Sequence, residues 1–509
     1  MPWRSSVTAV SLVSVWLAGC ATQAVDMAPS RPDRPWGAVT TPDGEIVAGA
    51  KDQPSNAHDY VLPANPALAG APPPPQVDNA RTYGLSDLID LAESSNPTTR
   101  IAWNDARNVA LAAGIAESNY LPKISASAAG VYTTGGGHAS SPGLTLNNNG
   151  AGGELTAISL QWLLFDFGER TAVLDAAKQA SVVSNIAYTA VHQQLIHAVS
   201  LAFYAYAAAR ARDSTAAQAL SDAQLVQAAA EDRYKHGTGT VVEVDQTRQA
   251  TAQARLAQVQ ADGGLQDTYL TLMAAVGVSP LTKIKIADIS GRPLTPRTAQ
   301  PVETLVSEAL SRRPDVLSAY AAEKASEAKV RAARAEFMPK VFLSATGAYN
   351  SGHLDVTALP GVGQQAGTVN INNERFGATM LAGVTVPLFD GGLRSALLAQ
   401  AHDDAASAQE NLTRTRQDAV VQIVQAENAL RTNLAAYSAA QALQQASQTT
   451  FDGALASYRN GVGSTTDVTL AEIQLLQARN AASDSYSASL TAAATLALAT
   501  GLLGSAPQD

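Results

Sequence analysis

The sequence predicts a mainly α-helical chain with a smaller β membrane part and an internal two-fold repeat, and three observations carry that expectation. Residues 169–236 contain neither Pro nor Gly, and residues 393–460 contain only Gly453. A helix of that length extends roughly 100 Å at ~1.5 Å per residue, too long for a compact interior and suited to a coiled coil or to crossing a wide space. The stretch YKHGTGTVVEVDQTRQATAQAR from Tyr234 returns as YRNGVGSTTDVTLAEIQLLQAR from Tyr458, 224 residues later. That period exceeds a solenoid unit and fits a duplicated half-protein. Finally, each half holds two segments of about ten residues in which apolar side chains alternate with small or polar ones, a pattern shared by membrane barrel strands and by half-buried soluble hairpins.

The chain opens with MPWRSSVTAVSLVSVWLAGC: a positive charge at Arg4, an apolar run from Val7 to Leu17, then small residues ending at Cys20. The run is too short to span a bilayer and reads as a signal peptide over 1–19. Its ending, LAGC, resembles a bacterial lipobox. Cys20, the sole cysteine, is therefore the expected lipid anchor, and Ala21 after it points to outer-membrane sorting. Acyl chains there contribute about 0.8 kcal/mol per buried methylene. Residues 20–82 are expected to form a tether. Within them, 26–80 carry eleven of the 24 prolines, including four in a row at 72–75, and such a segment sustains neither helix nor central strand.

The body divides into a first repeat over 83–290 and a second over 291–502, with a tail at 503–509. Asn96-Pro97 matches Arg313-Pro314 and YLPKISASAAGVY from Tyr120 matches FMPKVFLSATGAY from Phe337, both 217 residues apart; LFDFGER from Leu164 matches LFDGGLR from Leu388, 224 apart. The seven-residue change places an insertion between these landmarks, in an exposed loop. Residues 85–119 and 303–336 read as a short helix then a longer one, ended by Pro122 and Pro339. Ile124, Ala126, Ala128, Gly130 and Tyr132 form one strand face, repeated by Val341, Leu343, Ala345, Gly347 and Tyr349. Gly-, Asn- and Ser-rich loops follow, such as LNNNGAGGE at 146–154. Thr156, Ile158, Leu160, Trp162 and Leu164 then form a second face, matched by Met380, Ala382, Val384, Val386 and Leu388. Long helices come next, then the bends, then returning helices over 241–276 and 465–500. At the bends Gly237, Gly239, Gly461 and Gly463 are expected to supply positive φ.

Composition narrows the function. The net charge of -10 offers no clustered cations for phosphate, which excludes nucleic acid as a partner. No run of eighteen apolar residues occurs, so no helix is expected to span a membrane. His192 and His197 point to different helical faces, and no HExxH or cysteine cluster accompanies them. No cofactor, metal site or enzymatic activity is expected. Four strands cannot close a barrel, since about eight are the minimum, and open edges are not tolerated in hydrocarbon. If these strands lie in a membrane, two, three or four chains must therefore share one.

Together, the lipobox, the duplicated helix-strand-strand-helix order, LFDFGER with PLFDGGLR, and the twin Y-x-x-G-x-G bends before VVEV and TTDV resemble the outer membrane factor family, the TolC-like outer membrane efflux proteins. The lipidated start is most similar to the NodT-type efflux lipoproteins. The resemblance covers about residues 83–500. It implies a homotrimer sharing a twelve-stranded barrel in outer-membrane lipid, four strands per chain, continued by a long periplasmic α-helical coiled-coil tunnel. It also implies docking to a periplasmic membrane fusion (adaptor) protein and an inner-membrane RND, MFS or ABC transporter, and conduction of drugs or toxic compounds without chemistry. By the same resemblance Asp467, with Glu243 as its counterpart, would form the periplasmic constriction. Tyr234, Gly237, Gly239, Tyr458, Arg459, Gly461 and Gly463 would make the tip bends and meet the adaptor. Relatives often carry an arginine where Gly463 stands and a second acid where Leu470 stands, so closure here would rest on contacts such as Arg459 or Tyr458. A type I secretion channel, or a non-conducting envelope-spanning coiled-coil lipoprotein, is the alternative.

Overall fold

The structure is a computed structural model that describes residues 27–29, 32, 36–49, 60–70, 77–132, 136–141, 144–149, 152–289, 294, 302–350, 355–358, 369–371 and 376–504. Cys20 and the expected signal segment lie outside the described residues. The chain divides into two units, 1–76 and 77–509.

In the first unit, β1 (Ala38–Thr40) and β2 (Ile46–Ala48) pair as a short antiparallel hairpin. It lies within the tether expected over 20–82 and contains no central strand. Gly44 N donates to Thr41 O at 2.9 Å across Pro42, and a proline at the second turn position favours that bend rather than breaking a strand.

In the second unit the halves use matching helices. The first contains α1 (Leu85–Ser95), α2 (Pro97–Ser118), α3 (Glu169–Lys235) and α4 (Val241–Val276); the second contains α5 (Val302–Leu310), α6 (Pro314–Ala335), α7 (Leu393–Arg459) and α8 (Thr465–Ala499). Both long helices run 67 residues, and the returning ones 36 and 35. Pro97 and Pro314 stand at the first helical turn, where a missing N–H costs nothing. The residue before each proline fastens the returning helix. Asn96 Nδ2 donates to Ala275 O at 3.2 Å, and Arg313 Nη1 donates to Ala499 O at 2.8 Å.

A parallel bridge between β3 (Thr82–Tyr83) and β8 (Lys285–Ile286) closes one core. There Leu88, Val199, Phe203, Leu272, Met273 and Val276 are buried, each stabilising by roughly 1.5–3 kcal/mol.

Four antiparallel strands form one sheet in the order β12-β9-β7-β4: β4 (Lys123–Tyr132), β7 (Gly152–Phe165), β9 (Lys340–Asn350) and β12 (Phe376–Thr385). Register aligns the alternation seen in the sequence. One row runs Ile124, Leu160, Ala345, Met380, and the next runs Ser125, Ser159, Thr346, Thr379. Neighbouring rows point to opposite faces, so one face is apolar and the other carries hydroxyls. Ile124, Ile158, Met380 and Val384 on the apolar face are each more than half exposed, whereas Ser344 and Thr346 opposite are buried. Edge strands β4 and β12 each have one partner among the described residues.

Two expectations are corrected here. Val386 and Leu388 were expected to continue the last strand, which instead ends at Thr385, because Pro387 has no N–H for the ladder. The segment read as loop, 146–154, also contributes strand. β5 (Gly136–Ser141), β6 (Leu144–Asn149), β10 (Asp355–Ala358) and β11 (Val369–Ile371) make a second four-stranded sheet, ordered β11-β10-β6-β5. Backbone pairing supplies what the weak strand propensity of Gly, Asn and Ser does not.

The FD-x-G-x-R landmarks turn sheet into helix. Asp166 accepts from Gly168 N at 3.3 Å and Arg170 N at 2.9 Å; Asp390 accepts from Gly392 N and Arg394 N, both at 3.1 Å. Each aspartate thereby satisfies an N–H in the first turn of a 67-residue helix, just before its glycine cap, and pairs with the arginine four residues on, at 2.9 and 2.8 Å.

Candidate functional site

The end of each helical hairpin is a tight bend, and the two bends share one backbone design. Gly237 N donates to Tyr234 O at 3.0 Å and Thr238 N to Arg233 O at 2.9 Å; Gly461 N donates to Tyr458 O and Val462 N to Ser457 O, both at 3.0 Å. This is the Schellman pattern, in which a left-handed residue satisfies the last helical carbonyls. Gly237 has φ 73° and Gly461 φ 79°. The expectation of positive φ at all four glycines is corrected: Gly239 and Gly463 are not in that region. They are needed for closeness instead, since a Cβ there would stand 3.0 Å from the backbone N of Tyr234 or Tyr458.

Each returning helix then starts from a hydroxyl cap. Glu243 N donates to Thr240 Oγ1 at 3.3 Å, and Asp467 N to Ser464 Oγ at 3.2 Å. Asp467 completes a capping box, accepting from Ser464 Oγ at 2.7 Å and Ser464 N at 3.3 Å. The side chain is exposed, as are Arg459 and Leu470, while Glu243 is half-buried.

Beneath the bends the hairpins share a core of Val226, Ala230, Val244, Phe451, Leu455, Tyr458, Val468, Ala471 and Leu475. Val244 and Val468, equivalent in the two halves, are both buried there. The tyrosines are not equivalent. Tyr234 is 51 % exposed, but Tyr458, expected on the contact surface of the tip, is 1 % exposed. Arg233 covers it. Its guanidinium lies 4.7 Å from the Tyr458 ring centroid, and Nη1 donates to Tyr458 O at 2.7 Å. Nη2 donates to Thr238 O at 3.2 Å, in its own bend. The Tyr458 hydroxyl donates to Glu243 Oε2 at 3.4 Å. Residues on both sides of the first bend thus grip the second. Sequence reasoning named Arg459 at the tip but missed Arg233. The signal lay one residue before Tyr234, where the matching position is Ser457.

Above this core is a buried polar cluster. Arg479 Nη1 of α8 lies 3.1 Å from Asp222 Oδ2 of α3, and its Nη2 donates to Gln448 Oε1 of α7 at 2.7 Å. Glu472 is buried nearby; burial and the adjacent Asp222 carboxylate push its carboxyl up to about 7. The two histidines occupy structural contacts. His192 Nδ1 lies 3.4 Å from Glu93 Oε1, and His197 Nε2 lies 3.1 Å from Thr495 Oγ1, with burial lowering the His197 pKa. Among the described residues no His, Cys, Asp and Glu group has metal-site geometry, and no helix is long and apolar enough to cross a membrane.

Sequence comparison matches residues 88–278 and 305–502 to the family described as outer membrane efflux protein. Among curated relatives, CyaE of Bordetella pertussis is 31 % identical over 65 % of this chain and 65 % of its own, so the match spans just under two thirds of that relative. The outer membrane protein OprJ of Pseudomonas aeruginosa is 26 % identical over 74 % of this chain and 75 % of its own. In fold, the chain is similar to the outer membrane protein VceC of Vibrio cholerae, with a TM-score of 0.68 at 21 % identity, covering 82 % of this chain and 96 % of that one.

Proposed function

The chain belongs to the outer membrane efflux protein family, and from that premise we propose that it is the outer-membrane channel of a tripartite efflux system. It passively conducts small molecules handed on by a periplasmic adaptor and an inner-membrane pump. The single observation that carries this reading is the β12-β9-β7-β4 sheet, with its apolar exposed face, its hydroxyl-bearing buried face and its two open edges. In hydrocarbon each unpaired backbone group costs several kcal/mol, so the edges must be paired. Antiparallel order makes β4 and β12 run oppositely, and β12 of one copy can therefore continue the ladder onto β4 of the next. Three copies would close twelve strands around an open lumen.

The two halves, 83–290 and 291–502, act as one duplicated unit in this reading, and their equal 67-residue helices support it. The hairpins extend the barrel as a periplasmic tunnel, with six bends around its mouth. Asp467 and Glu243 face the axis there, where three copies of each acid would attract cations and repel anions. The adaptor meets the exposed residues Tyr234 and Arg459, while Tyr458 acts from inside as a tie between hairpins. Cys20 carries the lipid; palmitate labelling should vanish in Cys20→Ser, and undiminished labelling would end that part of the proposal.

The test of the channel is conductance of the purified full-length protein in planar bilayers, with the subunit number read by native mass spectrometry. Trimers with discrete openings are expected, more open when Asp467 is replaced. Monomers, or trimers silent even after Asp467→Ala, would overturn the reading in favour of a non-conducting lipoprotein.

A further inference from the structure

The cluster above the bends holds two buried carboxyls and one cation. Glu472 and Arg479 are seven residues apart on α8, two helical turns along one face. Asp222 is 6 % exposed and Glu472 9 %. The Asp222 charge is met by Arg479 at 3.1 Å and by Gln218 Nε2, which donates to its Oδ1 at 3.0 Å. Arg479 Nη2 donates to Gln448 Oε1 at 2.7 Å. Glu472 Oε2 is left without a hydrogen-bond partner. Each packed element brings a different group to this seam. From α3 comes Asp222, and from α7 comes the neutral Gln448, whose amide also donates to the exposed Asp452. Arg479 lies on α8 itself, and Arg248 of α4 is engaged with Glu231 and Asp245 at 3.4 Å each.

We propose that Glu472 is a proton-binding site that couples the packing of the two helical hairpins to pH. Protonated, the carboxyl lies neutral in the seam. Ionised, it faces Asp222 with no cation of its own, and an uncompensated buried charge is costly enough to open the structure around it. The direction follows from the raised value of about 7. A carboxyl that holds its proton more tightly when packed favours the packed state below the ordinary carboxylate range, and that advantage is lost as pH rises through about 7. The seam therefore tightens in acid and loosens in mild alkali. If the channel reading also holds, the periplasmic mouth becomes responsive to periplasmic pH; the coupling itself is a property of one chain.

Infrared titration of the full-length protein in detergent tests the proton, and amide hydrogen exchange, corrected for its intrinsic pH dependence, tests the coupling. Wild type should show a carboxylic acid carbonyl band titrating near pH 7 that is absent from Glu472→Gln. Exchange at residues 218–231 and 444–455 should rise across the same interval in wild type and stay flat in Glu472→Gln. Asp222→Asn frees Arg479 to pair with Glu472 and should shift the midpoint down toward the ordinary carboxylate range. A wild-type band that titrates in the ordinary range, exchange flat with pH in wild type, or an equal rise in Glu472→Gln would each overturn the proposal. Neither readout depends on conduction, so this proposal and the channel reading can fail separately.

Discussion

The two hairpin bends have the same backbone and opposite interiors. Both close with a left-handed glycine followed two residues later by a glycine packed against a helical backbone, and both restart from a hydroxyl cap. Yet the tyrosine at the equivalent position of the repeat is half exposed in one bend, at Tyr234, and enclosed in the other, at Tyr458. The difference comes from the residue before it. Arg233 reaches from the first bend across the Tyr458 ring, while the matching Ser457 reaches nothing comparable. A bend's local sequence sets its turn geometry; which side chain becomes core is set by the neighbouring hairpin. The first bend is the clamp, and the second is what it holds.

That comparison breaks most sharply at the tyrosines. Tyr458→Ala should destabilise the tip by about 3–5 kcal/mol, the usual cost of emptying a buried aromatic site, whereas Tyr234→Ala should stay within about 0.5 kcal/mol. Opening free energies of amides around residues 226–244 and 451–475, from native-state hydrogen exchange, give the numbers. Equal losses would mean the tyrosines are interchangeable and the clamp has no direction.

A smaller effect is expected at the arginines. Arg233→Ala removes a charged hydrogen bond at 2.7 Å and a ring contact at 4.7 Å, together about 2 kcal/mol. Arg459 is exposed, and Arg459→Ala should leave tip exchange unchanged while weakening adaptor binding, read by pull-down with the cognate adaptor. Unchanged exchange in Arg233→Ala would remove the clamp from the account.

Much of this was legible in the sequence, for identifiable reasons. Helix limits fall within a residue or two of those read from Pro97, Pro314, Gly237 and Gly461, because proline is favoured in the first helical turn and a left-handed glycine closes the last one. The main sheet was legible because a buried face and an exposed face impose period two. The second sheet was not, since its Gly-, Asn- and Ser-rich strands show no such alternation. At the tip, the turn glycines and caps are local and could be read, though the role of Gly239 and Gly463 could not: closeness to a backbone five to six residues away leaves the same residue type as positive φ. Arg233 and Glu472 escaped because their significance lies in partners 225 and 250 residues distant, Tyr458 and Asp222. A lone Glu on a helix otherwise reads as solvated.

A smaller loss of stability than at Tyr458 or Arg233 is expected at the acids that follow the bends, and there the two copies separate structure from conduction. Asp467 serves a capping box, so Asp467→Ala should cost the tip only about 1 kcal/mol. Glu243 has a different duty, accepting from Tyr458 across the hairpins at 3.4 Å, and Glu243→Gln keeps an acceptor for that hydroxyl while removing the charge. If both acids line a shared mouth, both variants should lower cation preference in reversal-potential measurements, although only the first disturbs a helix end. If Asp467→Ala shifts exchange near residue 467 and leaves ion preference untouched, its carboxylate is a cap and nothing more. A change in ion preference with Glu243→Gln alone would then assign the constriction to the first bend, the same one that supplies the clamp.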